Sequence, residues 1–361
     1  MADELFDENL KESETKTAKC PSCGAELIYS PDTKGLVCPY CGASKEVDFN
    51  HFSSEIDIDK MFNESANEWG RETHIFSCNN CGAKVVLDKN EIATDCPFCG
   101  TTNIVESSEI VGLKPNGIVP YMINENTASD NSLSWAKKRF FAPRKFKKSV
   151  TPKGMIATYL PAFTFDSDTD STYSGRLGET HYRTVTKNGK TTTVKETKYF
   201  NIRGTYKKFF NDILIHASDK INQKSLNKMA PFNTDNSQAY SLDFLHGYRA
   251  EVASRSGKDC FNDAKKVMDS EIRRGILAQY TYDVVDYLNV NTSFYNSTFK
   301  YLLLPVYIGH YIYKEKNYNF FVNGYNGKVT GKTPLSPIRI SILVLFILAI
   351  LALILYLVYI S

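Results

Sequence analysis

Eight of the nine cysteines in this 361-residue chain fall into one repeated pattern. Cys20 and Cys23 are followed by Cys38 and Cys41, and Cys78 and Cys81 by Cys96 and Cys99, so both sets read C-x2-C-x14-C-x2-C. All four pairs share an offset of 58 residues, which also aligns Gly24 with Gly82, Ala25 with Ala83, Pro39 with Pro97, Gly42 with Gly100 and Val47 with Val105. This is an internal duplication. Two Cys-x-x-Cys knuckles that meet offer four thiolates at tetrahedral corners, and the glycine after each knuckle lets the backbone turn tightly and aim its amides at sulfur. The expected cofactor is Zn2+, two per chain, with disulfides, redox chemistry and rubredoxin-like iron as the alternatives. Four protein ligands leave no open position, so the metal would hold a small fold and do no chemistry on a substrate. Cys260 stands apart on a candidate helix with Phe261, Ala264, Met268 and Ile272, where it reads as a packed core thiol.

The other chemical signals fail on inspection. Gly327, Gly331, Lys332 and Thr333 approximate a P-loop with the first glycine one residue too close, and Thr184 stands where Gly189-Lys190-Thr191 would need a glycine. Asp166, Asp168 and Asp170 invite a calcium loop or a phosphatase motif. The first lacks its glycine at Ser171 and its glutamate at Leu177, and the second lacks Thr or Val at Asp170, so a polar turn is expected there. The six histidines form no HExxH pair and no triad, so no catalytic residue is assigned and the chain reads as a non-enzyme. A basic and aromatic run, Lys137, Lys138, Arg139, Arg144, Lys145, Lys147 and Lys148 among Phe140, Phe141 and Phe146, could contact anionic lipid or nucleic acid, or form a solvated helix face.

Residues 1–19 are predicted to be a disordered acidic tail, with no apolar run that could serve as a signal peptide. Zinc ribbons are expected at 20–47 and 78–107, joined by a linker at 48–77 that is polar with scattered apolar residues, is expected to include a short helix, and carries Trp69, which could anchor the second ribbon. Residues 108–334 are rich in Tyr, Phe and alternating segments and read as an α+β domain with an antiparallel sheet. Helices are predicted near 132–141, 219–229 and 258–277, and Asn188-Gly189 marks a hairpin turn. Tyr159-Leu160-Pro161 and Leu304-Pro305-Val306 read as equivalent strands with a proline at an edge or a bulge.

Residues 340–360 carry no charge, and at 1.5 Å per residue such a helix matches the roughly 30 Å of a bilayer core. Lys328, Lys332 and Arg339 precede it and only Ser361 follows, which predicts a tail anchor with the body, residues 1–339, in the cytoplasm. A reducing compartment agrees with the cysteine pattern. The formal charge is +3, and eight thiolates on two divalent ions would lower it by four, so charge gives no reason to invoke nucleic acid. The mean hydropathy of −0.31 averages over the apolar end.

The tandem CxxCG motifs, the segment from Trp135 to Pro143, the Tyr159-Leu160-Pro161 strand running to Asp166 and the apolar terminus together resemble one family, the bacterial transcription-factor-B-type zinc-ribbon membrane proteins. The resemblance spans nearly the whole chain. It implies tandem zinc ribbons on a membrane anchor, and similarity to a Bacillus phage-shock and flotillin-operon protein that helps hold partners at the membrane. The expected function is thus a membrane-anchored cytoplasmic adaptor, with flotillin-like (SPFH) or PspA-like partners in an envelope-stress or membrane-organising assembly. A tethered nucleic-acid regulator is the alternative, and a metal-dependent hydrolase built on Asp166 and Asp168 is a weaker one. Docking is expected on the ribbons, where Tyr29, Pro31 and Leu36 of the first and Leu87, Lys89 and Glu91 of the second would be presented.

Overall fold

The computed structural model describes residues 19–63, 73–88, 95–107, 113–149, 154–187, 190–313 and 316–360. The acidic-tail assignment for residues 1–18, Trp69, Lys89, Glu91 and the Asn188-Gly189 turn lie outside them.

The first cysteine module holds three short strands, β1 (Ile28–Ser30), β2 (Gly35–Val37) and β3 (Ser44–Glu46), as an antiparallel sheet of its own. Next come β4 (Ile56–Asp57) and helix α1 (Ile58–Asn63). This stretch was expected to be a short helix plus linker; the short helix is present, but the rest is tied to the body, since β4 pairs with a body strand at Phe299 and the Ser53 amide donates to the Ser237 carbonyl at 2.9 Å. The second module supplies β5 (Thr73–Cys78), β6 (Lys84–Asp88) and β7 (Ile104–Ser107).

The body contributes β8 (Gly117–Ile118), α2 (Glu125–Lys137), α3 (Arg144–Ser149), β9 (Ile156–Lys187), β10 (Lys190–His216), α4 (Gln223–Met229), β11 (Gln238–Ala239), β12 (Arg249–Glu251), α5 (Gly257–Leu277), β13 (Val284–Tyr313), β14 (Lys316–Asn323), β15 (Val329–Gly331) and the terminal helix α6 (Pro337–Ile360). The helix expected near 132–141 starts earlier because the Asn124 side chain accepts the Thr127 amide and caps it. α5 follows its prediction closely: Ser256 caps it, and Cys260, Ala264, Met268, Ile272 and Ile276, four residues apart, are all buried.

One 12-stranded sheet organises the molecule, and its axis is the antiparallel pair β9 and β13. At 32 and 30 residues these strands are each about 100 Å long at the usual rise per residue. β10 runs antiparallel along the outer part of β9, while β12 takes over beside Thr158 and Tyr159 in parallel. Pairing of β13 with β9 ends at Val284 opposite Gly178, so residues 179–187 and 190–198 continue as a two-stranded arm. One face of the three-stranded ribbon packs on α5 through Phe163, Phe165, Tyr173, Leu177, Ile202 and Phe210.

Two expectations are corrected here. Pro161 and Pro305 lie in the middle of the sheet, in adjacent strands that pair Leu303 with Pro161 and Pro305 with Tyr159. Their carbonyls accept from Ala217 and Gly324, and a residue's N and O point to the same side of a strand. Each missing donor therefore faces the point where a neighbouring strand's ladder ends, β10 at His216 and β14 at Asn323, and no ladder bond is lost. The polar turn expected at Asp166, Asp168 and Asp170 is also absent, because all three lie within β9. Bulges in both neighbours, between Phe210 and Ile213 and between Tyr295 and Thr298, absorb the irregularity.

Candidate metal centres

Each Cys-x-x-Cys knuckle turns the same way. The amides of Gly24, Gly42, Gly82 and Gly100 donate to the carbonyls of Cys20, Cys38, Cys78 and Cys96, and each glycine has φ between 68° and 74°. An L side chain is strained at that φ, which explains the glycine after every knuckle. The turns bring the sulfurs together: Cys20 and Cys41 are 3.4 Å apart, Cys23 and Cys38 3.5 Å, and the pairs Cys78–Cys99 and Cys81–Cys96 each 3.6 Å. A tetrahedron with metal–sulfur bonds of about 2.3 Å has edges of about 3.8 Å, whereas a disulfide needs about 2.05 Å. The spacing fits a shared ion, and all nine cysteines are free thiols. Each four-cysteine cluster can hold a metal ion.

Within each cluster the sulfurs divide: Cys20, Cys38 and Cys78 are lowered, while Cys23, Cys41, Cys81 and Cys96 are raised by burial and by hydrogen bonds shared with neighbouring sulfurs. Burial works against the Cys20 thiolate, but the backbone amides of Ser22 and Cys23 outweigh it and bring the group down to about 6. Against the same effect of burial, the amides of Cys81 and Asn80 lower Cys78 to about 7. Cys260 is pushed up to about 12 by burial with no backbone amide to compensate, in keeping with a core thiol.

Neither cluster is a free bead. Tyr29 of β1 is buried, packs edge-on against Phe244 at 5.4 Å and donates its hydroxyl to the Tyr121 carbonyl at 3.2 Å. Pro31 and Leu36 are buried as well, so the apolar surface expected to be presented to a partner is already covered by the body. The second cluster is stitched in more firmly. β6 pairs with β12, and β12 with β9, which extends the body sheet through this module as far as β7. Lys220 donates to the Cys81 carbonyl, Arg249 to Asp95 O at 3.0 Å and Asn319 to Phe98 O at 2.8 Å. The side chain of Leu87 lies outside the description.

A third constellation escaped the sequence reading. Glu55, Asp166 and Asp212 bring carboxylate oxygens within 4.8 Å of one another, enough to hold a cation, and the Lys300 ammonium lies 2.9 Å from Asp212 and 3.0 Å from Glu55. Asp212 sits on the β10 bulge at φ 50°, and its amide donates to Asp166 at 2.7 Å. Asp168 instead accepts from Asn296 on the β13 bulge, so the two aspartates of the hydrolase reading are held by different partners. Residues 55, 166, 212 and 300 are too far apart in sequence for any motif to join them.

Burial, together with the charges of Glu55 and Asp212, pushes Asp166 up to about 6 from 3.8, despite the amide it accepts. A carboxyl raised in the fold binds its proton more tightly there than in the unfolded chain. Its contribution to stability is complete below about pH 4 and is lost as the pH rises through about 6. Asp166→Asn should therefore match the parent near pH 4 and exceed it at pH 7.5, because the amide oxygen still accepts from Asp212. Urea midpoints at the two pH values test this, and a variant weaker than the parent at pH 7.5 would show that the ionised carboxylate stabilises the fold.

Of the basic run, Lys137, Lys138, Arg139, Arg144 and Lys145 are exposed at the end of α2 and the start of α3, with the Arg139 guanidinium 4.7 Å from the Trp135 ring centroid. The side chains of Lys147 and Lys148 lie outside the description.

No family model matches this chain, and no solved structure matches it. A curated protein of Bacillus subtilis (strain 168), "Uncharacterized protein YdjG", is similar to it, with 27% identity over 227 residues that cover 62% of this chain. The match spans 65% of that relative's length.

Proposed function

We propose that the protein is a membrane-anchored cytoplasmic adaptor, in which two structural zinc ions fix ribbon-like modules onto a β-rich body that docks a protein partner. The reading rests chiefly on one pairing of features. A terminal helix with no buried residue, long and apolar enough to cross a bilayer, is joined to a sheet in which, among the described residues, the long β10 pairs with β9 alone. An open strand edge accepts a partner strand readily. Zinc suits the closed thiolate sets, which leave no position for a substrate. With Tyr29 and Leu36 covered, we place the docking surface on the arm at 179–198, where Tyr182 and Val194 are exposed. Flotillin-like or PspA-like proteins are the partners that the family resemblance implies.

Removing residues 1–107 is a poor test, since it would strip β5, β6 and β7 from the sheet. Replacing residues 179–198 by a short turn leaves the paired core of β9 and β13 in place. The expected result is a chain that stays in the membrane fraction but recovers no flotillin-like or PspA-like partner after crosslinking in intact cells. Undiminished recovery would remove the arm from the proposal.

A further inference from the structure

We propose that the loop after α2, together with the base of α6, forms a collar that lies in the anionic headgroup layer of the bilayer and seats the body against it. This rests on the reading of α6 as a membrane span. The carrying observation is a contact between segments about 200 residues apart in sequence. The Ser336 amide donates to the Phe141 carbonyl at 2.8 Å, Arg339 donates to the Phe140 carbonyl, and its guanidinium lies 5.9 Å from the Phe140 ring centroid. These bonds fix the 139–142 loop beside the first turn of α6, at the depth where a spanning helix enters the headgroups.

What the contact brings there is amphipathic in the sense the interface demands. Phe140 is 68% exposed, beside Leu335 at 63% and Ile338 at 72%. Large apolar groups so exposed at the foot of an apolar helix continue its greasy surface onto the body. Around them Lys138, Arg139, Arg144 and Lys145 are exposed, and Lys332 and Arg339 join them from the other segment. Long cationic side chains lay their stems along acyl chains and raise their charges to phosphate. The charge selects an anionic leaflet, and continuity with α6 selects a membrane over a free phosphate. Below the loop, Trp135 and Phe146 pack against Phe320 and Tyr311 in the core, so the collar rides on a rigid base.

The test uses the full chain reconstituted in vesicles of brominated phosphatidylcholine, with or without phosphatidylglycerol. A Phe140→Trp variant is read over the parent signal from Trp69 and Trp135. Flotation comes first: a chain that does not float with vesicles would overturn the span and the collar with it. In floating material, the added tryptophan should be quenched about twofold more strongly when phosphatidylglycerol is present. Adding Lys138→Gln, Arg144→Gln and Lys145→Gln should abolish that difference while flotation persists. A floating chain whose added tryptophan is unquenched, or is quenched equally with and without phosphatidylglycerol, would overturn the collar and leave the span standing. Quenching relieved by added RNA would assign the surface to nucleic acid instead.

Discussion

Changing Cys78 and Cys96 to serine is expected to remove one metal ion per chain and to collapse a large part of the sheet. The matching change at Cys20 and Cys38 should also remove one ion but loosen mainly residues 19–47. A structural zinc site contributes on the order of 10 kcal/mol, comparable to the whole stability of a typical domain. The two losses differ because the two modules are held differently. Cys78 ends β5, which pairs with β6 and β7, and β6 carries the ladder through β12 into β9. Buried Cys78, Cys96 and Phe98 share a core with Leu160, Leu304 and Val306 of the two long strands. The first module keeps a three-stranded sheet of its own and leans on the body through Tyr29 and its neighbours. Metal analysis should fall from two ions to one in both variants, while amide exchange at Thr158 and Tyr159 should accelerate only when the second cluster is broken. Equal acceleration in both would show that the first module supports the sheet just as strongly.

Ending the chain at Pro337 should move the protein from the membrane fraction to the soluble one. Sixteen of the 21 residues from Ile340 to Ile360 are Leu, Ile, Val or Phe, each favouring insertion by about 0.3–0.6 kcal/mol at the centre of a span. Their sum makes partition all but complete, and no side chain of α6 is buried against the body to compete with lipid. The truncation keeps Ser336, and with it the amide that meets Phe141. A tag after Ser361 on the full chain should be reachable from outside the cell. If the truncated chain remains on membranes after a salt wash, the body itself binds lipid, and the basic run around Phe140 is the first segment to substitute.

The sequence by itself determined what depends on near neighbours along the chain. Two residues between paired cysteines, a glycine after them and an apolar run of 21 residues are local facts, and local geometry carries them into knuckles and a helix. The stripe from Cys260 to Ile276 is legible for the same reason, since a four-residue spacing defines one helix face. Only the tertiary structure decided what depends on strands meeting across long intervals. That Pro161 could sit in mid-sheet followed from where β10 stops, and that Asp166 would join Glu55, Asp212 and Lys300 followed from the β10 bulge that carries Asp212 and from the pairing of β4 with β13 that brings Glu55 alongside. The same holds for Tyr29 against Phe244 and for Phe140 beside Arg339. The two-residue period of a strand records which face a side chain takes but not which strand lies alongside. Partner and register are set by packing over the whole sheet, and no window of sequence contains that information.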